Sequence, residues 1–182
     1  MEMEEEFKKE YTRRLIIKIA VIVAAIAVLV VGFFGVRSLY YRSEKTFTDP
    51  HGCSVTLTHS FTEHLETGIY TVTASKACMT TKHYASETVA ETYGEIKTAK
   101  AFADVYYPDY ENAEILSCEP FEGDRMLVTY HYHGNGFDDY CCDLVAMDRI
   151  GFCIVTFWCE TPNETHYDDM FPKWAKTVRV AS

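Results

Sequence analysis

The chain has 182 residues, 48% of them hydrophobic and 24% charged, with a formal net charge of −10 at pH 7. That length holds one ordinary domain plus short extensions. The acidic balance excludes charge-driven binding to nucleic acid, because such a surface repels polyanions and anionic lipid alike.

Residues 1–14, "MEMEEEFKKEYTRR", read as a charged tail. Residues 15–36 follow as an almost wholly aliphatic run, in which Ile19 to Val36, "IAVIVAAIAVLVVGFFGV", carries no charged side chain. A bilayer is crossed by about 20 apolar residues in a helix, and Lys18 can snorkel to the interface. The run shows no polar face, so a helix buried in a soluble core is disfavoured. The segment before it is long and no small-x-small site follows, which favours an uncleaved signal-anchor over a signal peptide. Lys8, Lys9, Arg13, Arg14 and Lys18 precede or enter the run, against Arg37, Arg42 and Lys45 after it. This bias places the N-terminus in the cytoplasm and the C-terminal part outside a cell membrane crossed once. The five basic groups are balanced by Glu2, Glu4, Glu5, Glu6 and Glu10, so the net charge of −10 resides beyond the anchor.

Residues 37–46 read as a stem and residues 47–182 as an extracytoplasmic domain. "CSVTLTHS" from Cys53 and "GIYTVTAS" from Gly68 alternate as early strands. A helix is expected from Ser86, with Val89, Tyr93, Ile96, Ala99 and Ala103 forming one apolar stripe and Gly94 interrupting it. An aromatic connection runs from Asp104 to Asn112. Four strands are expected next, at 113–121, 125–133, 138–147 and 152–159, separated by Gly- and Asp-containing turns and therefore forming an antiparallel meander. A closing helix is expected from near Thr165, turning Met170, Phe171 and Trp174 inward, with Pro172 disturbing its first turns. "KTVRV" reads as a last short strand.

The segments "SETVAETYGEIKTAKAF" (86–102), "GDRMLVTYHYHGNG" (123–136), "IGFCIVTFWC" (150–159) and "YDDMFPKWAKTVRV" (167–180) carry a resemblance in pattern and order. The chain from about residue 47 to 180 resembles the small extracytoplasmic domains of the PsbP-like/Mog1-like class, an α/β/α sandwich. The resemblance implies an α+β fold, an antiparallel sheet packed with helices, preceded here by one transmembrane helix. It also implies an accessory or binding role rather than an enzyme. A cystatin-like fold, with one helix against a curved sheet, is the competing architecture, and the second helix counts against it.

The stretch "TYHYHGNGFDDYCCDL", residues 129–144, gathers the residue types of chemistry. With a three-residue turn at 134–136, His131 would oppose Asp139, and His131, His133, Asp139 and Cys141 would share a face. Those ligand types suit zinc. A polar hairpin face with His–Asp hydrogen bonds is the plainer reading. Thiol catalysis is disfavoured, because nothing supplies an oxyanion pocket. Seven cysteines, all beyond the anchor, sit where disulfides can form. Cys142 and Cys159 are expected as inner neighbours that could bridge, with buried thiols as the alternative. Tyr106, Tyr107 and Tyr110 are candidates for a ligand groove, although aromatic residues serve equally as core. The resulting expectation is a non-enzymatic binding or accessory protein held in the bilayer by residues 15–36. It would act on an unidentified envelope protein or small ligand, without nucleic acid and without a required cofactor. A zinc-binding envelope protein and a structural envelope component are the alternatives.

Overall fold

The structure, a computed structural model, describes residues 2–66 and 69–181. It divides into two units, Met1–Ser43 and Glu44–Ser182. The first is a single helix, α1 (Glu2–Arg42). Within it, Ile16–Arg42 is long and apolar enough to cross a membrane, and none of its most apolar stretch is buried. The residues expected to form a stem belong instead to the end of α1 and the start of the next strand, β1 (Glu44–Thr48).

The second unit holds β1 and β2 (Ser54–Thr58), which pair as an antiparallel ribbon. It also holds a seven-stranded sheet. Its strands are β3 (Thr62–Glu66), β4 (Ile69–Thr73), β5 (Cys78–Ala85), β6 (Ala113–Phe121), β7 (Arg125–Gly134), β8 (Phe137–Met147) and β9 (Gly151–Glu160). The spatial order is β3-β4-β5-β9-β8-β7-β6, antiparallel throughout. The meander β6 to β9 follows the expected order, because turns this short leave successive strands no other neighbours. The early strands at residues 53–60 and 68–75 correspond to β2 and β4, while β1, β3 and β5 had no clear signal.

Each face of the sheet has its own apolar layer. One layer packs Val89, Phe102 and Ala103 of two helices, with Tyr107 just after the second, onto Met126, Val128, Val145 and Ile154. These helices are α2 (Ser86–Tyr93) and α3 (Ala99–Tyr106), where a single continuous helix was expected. Gly94 adopts φ +83°, which ends α2, and the Thr98 hydroxyl then caps α3 by accepting from the Ala101 amide at 3.1 Å. Phe102 stacks on Phe152 with centroids 4.6 Å apart, anchoring α3 to the sheet. Burying such a ring stabilises the fold by about 1.5–3 kcal/mol.

The opposite layer packs Phe47, Val55 and Leu57 of the ribbon, with Phe171 and Ala175, onto Met79, Leu144, Val155 and Phe157. The expected closing helix is also divided, into α4 (Glu164–Tyr167) and α5 (Phe171–Thr177), with Pro172 in the first turn of α5. Proline is tolerated there because its missing N–H would be unpaired anyway. Phe171 is wholly buried, while Met170 and Trp174 are partly buried against the same layer. The "KTVRV" segment contributes one bridge, Ser54 to Arg179, rather than a strand. The result is an α+β sandwich with the sheet in the middle.

Candidate functional site

The β7–β8 hairpin turns on two residues. Gly134 pairs with Phe137, leaving Asn135 and Gly136 at the tip with φ of +55° and +83°. Positive φ at both central positions is the tight turn that matches sheet twist, and Asn-Gly is its preferred sequence. The expected three-residue turn is therefore corrected by one position. His131 faces Tyr140, and His133 faces Asp138. A shift of one residue moves every partner to the other face. Asp139 and Cys141 accordingly lie on the α2–α3 side, where Cys141 joins the core. His131 and His133 stay on the ribbon side, with Tyr140. The four residues expected to form one site are thus split across the sheet.

The shift brings in other partners. Glu114 of β6 is the register neighbour of His131. His133 Nδ1 lies 3.0 Å from Asp138 Oδ1, and His133 Nε2 lies 3.9 Å from Glu114 Oε2. His131 Nε2 meets Glu164 Oε2 of α4 at 3.0 Å. One ligand atom from each of Glu114, His131 and His133 falls within 4.8 Å of the others.

A second polar centre lies in β5, where no strand was foreseen. His83 Nε2 is 2.6 Å from Asp49 Oδ2, and its Nδ1 is 2.6 Å from Asp148 Oδ2. An ionised carboxylate only accepts, so this arrangement favours a ring protonated on both nitrogens. Burial alone would lower the imidazole pKa, but the hydrogen bonds and charges of Asp49 and Asp148 outweigh it and raise it. Burial likewise works against ionised Asp49, yet bonds from His83, Thr81 and the Cys53 amide hold its carboxyl at about 2. Each aspartate also closes a turn. Asp49 Oδ1 accepts from the His51 and Cys53 amides at 2.9 and 2.8 Å. Asp148 Oδ1 accepts from the Ile150 and Gly151 amides, both at 2.8 Å. His83 thereby ties the β1–β2 and β8–β9 turns to the central sheet. The His51 ring lies over His83 at 4.4 Å, and a cleft of about 520 Å³ opens beside them, lined also by Tyr70, Lys82, Tyr84 and Ile150.

The tyrosines expected to line a groove are used differently. Tyr107 is buried and its hydroxyl donates to Asp143 Oδ2 at 2.6 Å, with the Tyr130 hydroxyl 3.3 Å from the same oxygen. The Tyr106 hydroxyl meets that of Tyr84 at 2.9 Å, and the Tyr110 ring packs on Tyr130 at 5.6 Å. All three fill the space between α3 and the sheet. Complete burial raises the Asp143 carboxyl to about 6, despite bonds from Tyr107, Thr156 and Tyr130 and the Lys82 charge, which lower it.

All seven cysteines are free thiols, and the expected Cys142–Cys159 bridge is not formed. Cys142 pairs in register with Phe157 and Cys159 with Tyr140, so the two sit diagonally in one core layer. Burial raises the thiol pKa of Cys159 to about 12 and of Cys78 to about 11, and pushes Cys141 and Cys142 higher still. Thiolate is therefore scarce at neutral pH. Cys153 Sγ stands 3.9 Å from His83 Nε2, and its interaction with the Cys53 thiol, with burial, raises it strongly.

No family model matches this chain. No curated protein matches it either. Among solved structures, it is similar to the cyanobacterial PsbP (CyanoP) of Synechocystis sp. PCC 6803, with a TM-score of 0.54 and 12% identity over 76% of this chain and 93% of that one. It also aligns with LpqN of Mycobacterium tuberculosis, described as involved in cell envelope biogenesis, with a TM-score of 0.41 and 10% identity over 77% of this chain and 91% of that one. At such identities the likeness concerns fold alone, and the cyanobacterial structure carries it: the domain is an α+β sandwich similar in fold to that protein, preceded by one helix of membrane-spanning length.

Proposed function

We propose that this chain is a single-pass membrane protein whose C-terminal domain faces outward as a non-enzymatic binding or accessory module. The observation that carries the reading is the contrast between its two units. The domain Glu44–Ser182 closes two apolar layers of its own, whereas the most apolar stretch of the helix Ile16–Arg42 stays unburied among the described residues. A helix apolar all round belongs in a membrane. The flanking charge bias supports an inward N-terminus.

The chemistry of the domain supports binding over catalysis. His83 has both nitrogens engaged by carboxylates, leaving no lone pair for a base. The buried thiols are held protonated. A cleft beside His51 and His83, concave and of mixed polarity, offers a place for a small ligand or an extended segment of a partner, and a second of equal volume lies between Lys76, Cys78, Trp158 and Glu160.

The anchoring is tested by washing membranes at alkaline pH. The full chain should stay with the pellet, and a variant carrying Ala25→Arg and Val28→Asp should be released. Release of the unsubstituted chain would refute anchoring by α1.

A further inference from the structure

The geometry points to a divalent transition-metal site on the β6–β7–β8 face, with Glu114, His131 and His133 as protein ligands. The alternation of a strand puts His131 and His133 on one side, with ring centroids 6.0 Å apart. Glu114 reaches them from the adjoining strand because it sits directly across from His131. The pleat and the pairing register thus set two imidazoles and a carboxylate side by side, with ligand atoms within 4.8 Å of one another.

Two further carboxylates suit the surroundings of such a site. Asp138 Oδ1 holds His133 Nδ1 at 3.0 Å, which directs Nε2 towards Glu114. A metal-binding histidine commonly donates its second nitrogen to a carboxylate in this way. Glu164 Oε2 lies 3.0 Å from His131 Nε2 and can move aside or join as a fourth ligand. Three carboxylates around two imidazoles leave the face negative when the imidazoles are neutral, and a dication would offset that charge. Ligand atoms around tetrahedral zinc are about 3.3 Å apart, given metal–nitrogen distances near 2.0 Å. The side chains must therefore close by at most about 1.5 Å, and the His133–Glu114 pair, at 3.9 Å, by less. The exposed Glu114 and His133 have room to do so, with side-chain exposures of 70% and 51%.

Two imidazoles with carboxylate favour zinc and its first-row neighbours over calcium or magnesium, which prefer all-oxygen shells. A second grouping, His83, Asp148 and Cys153, is also close enough to hold an ion. There, however, the imidazole nitrogens are already bonded to Asp49 and Asp148, so an ion would have to displace a proton and a carboxylate. On the hairpin face the carboxylate to be displaced, Glu164 on His131 Nε2, is itself part-exposed, so an ion can enter without disturbing the core.

The test is a titration of tag-free full-length protein, stripped of metal and held in detergent micelles, with zinc chloride at pH 7.5. Parallel titrations use cobalt(II), whose visible absorption reports nitrogen ligation, and calcium. One zinc per chain is expected, with His131→Ala and His133→Ala each weakening affinity at least about tenfold and Glu114→Gln also weakening it. Cys153→Ser should leave it unchanged. Circular dichroism establishes that the surface variants remain folded. Zinc binding that survives the double histidine substitution, binding abolished only by Cys153→Ser, or no binding at about 100 µM zinc would each overturn the proposal.

Discussion

Replacing His83 with alanine removes the cation between two carboxylates that have almost no contact with water. The side chains of Asp49 and Asp148 are 0% and 5% exposed, and that of His83 is 9% exposed. Deleting one partner of a buried ion pair leaves an uncompensated charge and costs about 3–5 kcal/mol. Two like charges would remain here, and the two turns they organise would lose their tie to β5. A domain of this size is stable by only about 5–15 kcal/mol, so the variant should retain well under the original stability. Urea unfolding followed by tryptophan fluorescence is suitable, since both tryptophans, Trp158 and Trp174, lie in the domain. The loss should be greatest at about pH 6, where the His83 and Asp49 contributions are both full, and shrink in strong acid. In the unsubstituted protein the signs follow from the two shifts. The raised His83 pKa gives stability that is full below 6.5 and lost as pH rises through the folded value. The lowered Asp49 pKa gives stability that is full above 3.8 and lost as pH falls through about 2. The His83 and Asp49 contributions therefore coincide between about pH 4 and 6.5. A His83→Ala cost below about 1 kcal/mol, the same at pH 4 and pH 7, would refute this reasoning.

Asp143 should titrate near pH 6, with Tyr107→Phe moving it upward by removing a bond to the ionised form; carboxyl infrared bands across the pH range would check this, and a value below 4 would contradict it. Because its folded pKa is raised, its ionisation should reduce stability as pH climbs from 3.8 to about 6. Gly151→Ala should destabilise the domain by about 1–3 kcal/mol in urea unfolding, since an added Cβ would collide with the Tyr84 carbonyl and lie 2.5 Å from the Ser86 amide.

The meander from β6 to β9 was legible because each strand alternates cleanly and each turn contains residues fitted to it. The register of β7 on β8 was missed by one position, although Asn135-Gly136 is the doublet that specifies a two-residue turn. Reading it correctly would have separated His131 and His133 from Asp139 and Cys141. β5 escaped notice because "CMTTKHYA" buries Met79 and Thr81 on one face while Lys82 remains exposed, so its pattern looks polar. The His83 centre has no local signature at all. Its two carboxylates stand 34 and 65 residues away in sequence, and only the folded sheet brings them together. The helix breaks at Gly94 and Pro172 were visible as residues, but their consequence depended on which side of each break packed onto the sheet.

The most direct measurement is proteolysis of intact cells expressing the chain with distinct epitopes at its two ends. With any outer barrier opened but the anchoring bilayer intact, protease added from outside should digest the C-terminal epitope and leave the N-terminal one protected until the membrane is dissolved. Protection of the C-terminal epitope under conditions that destroy the N-terminal one would contradict an outward-facing domain.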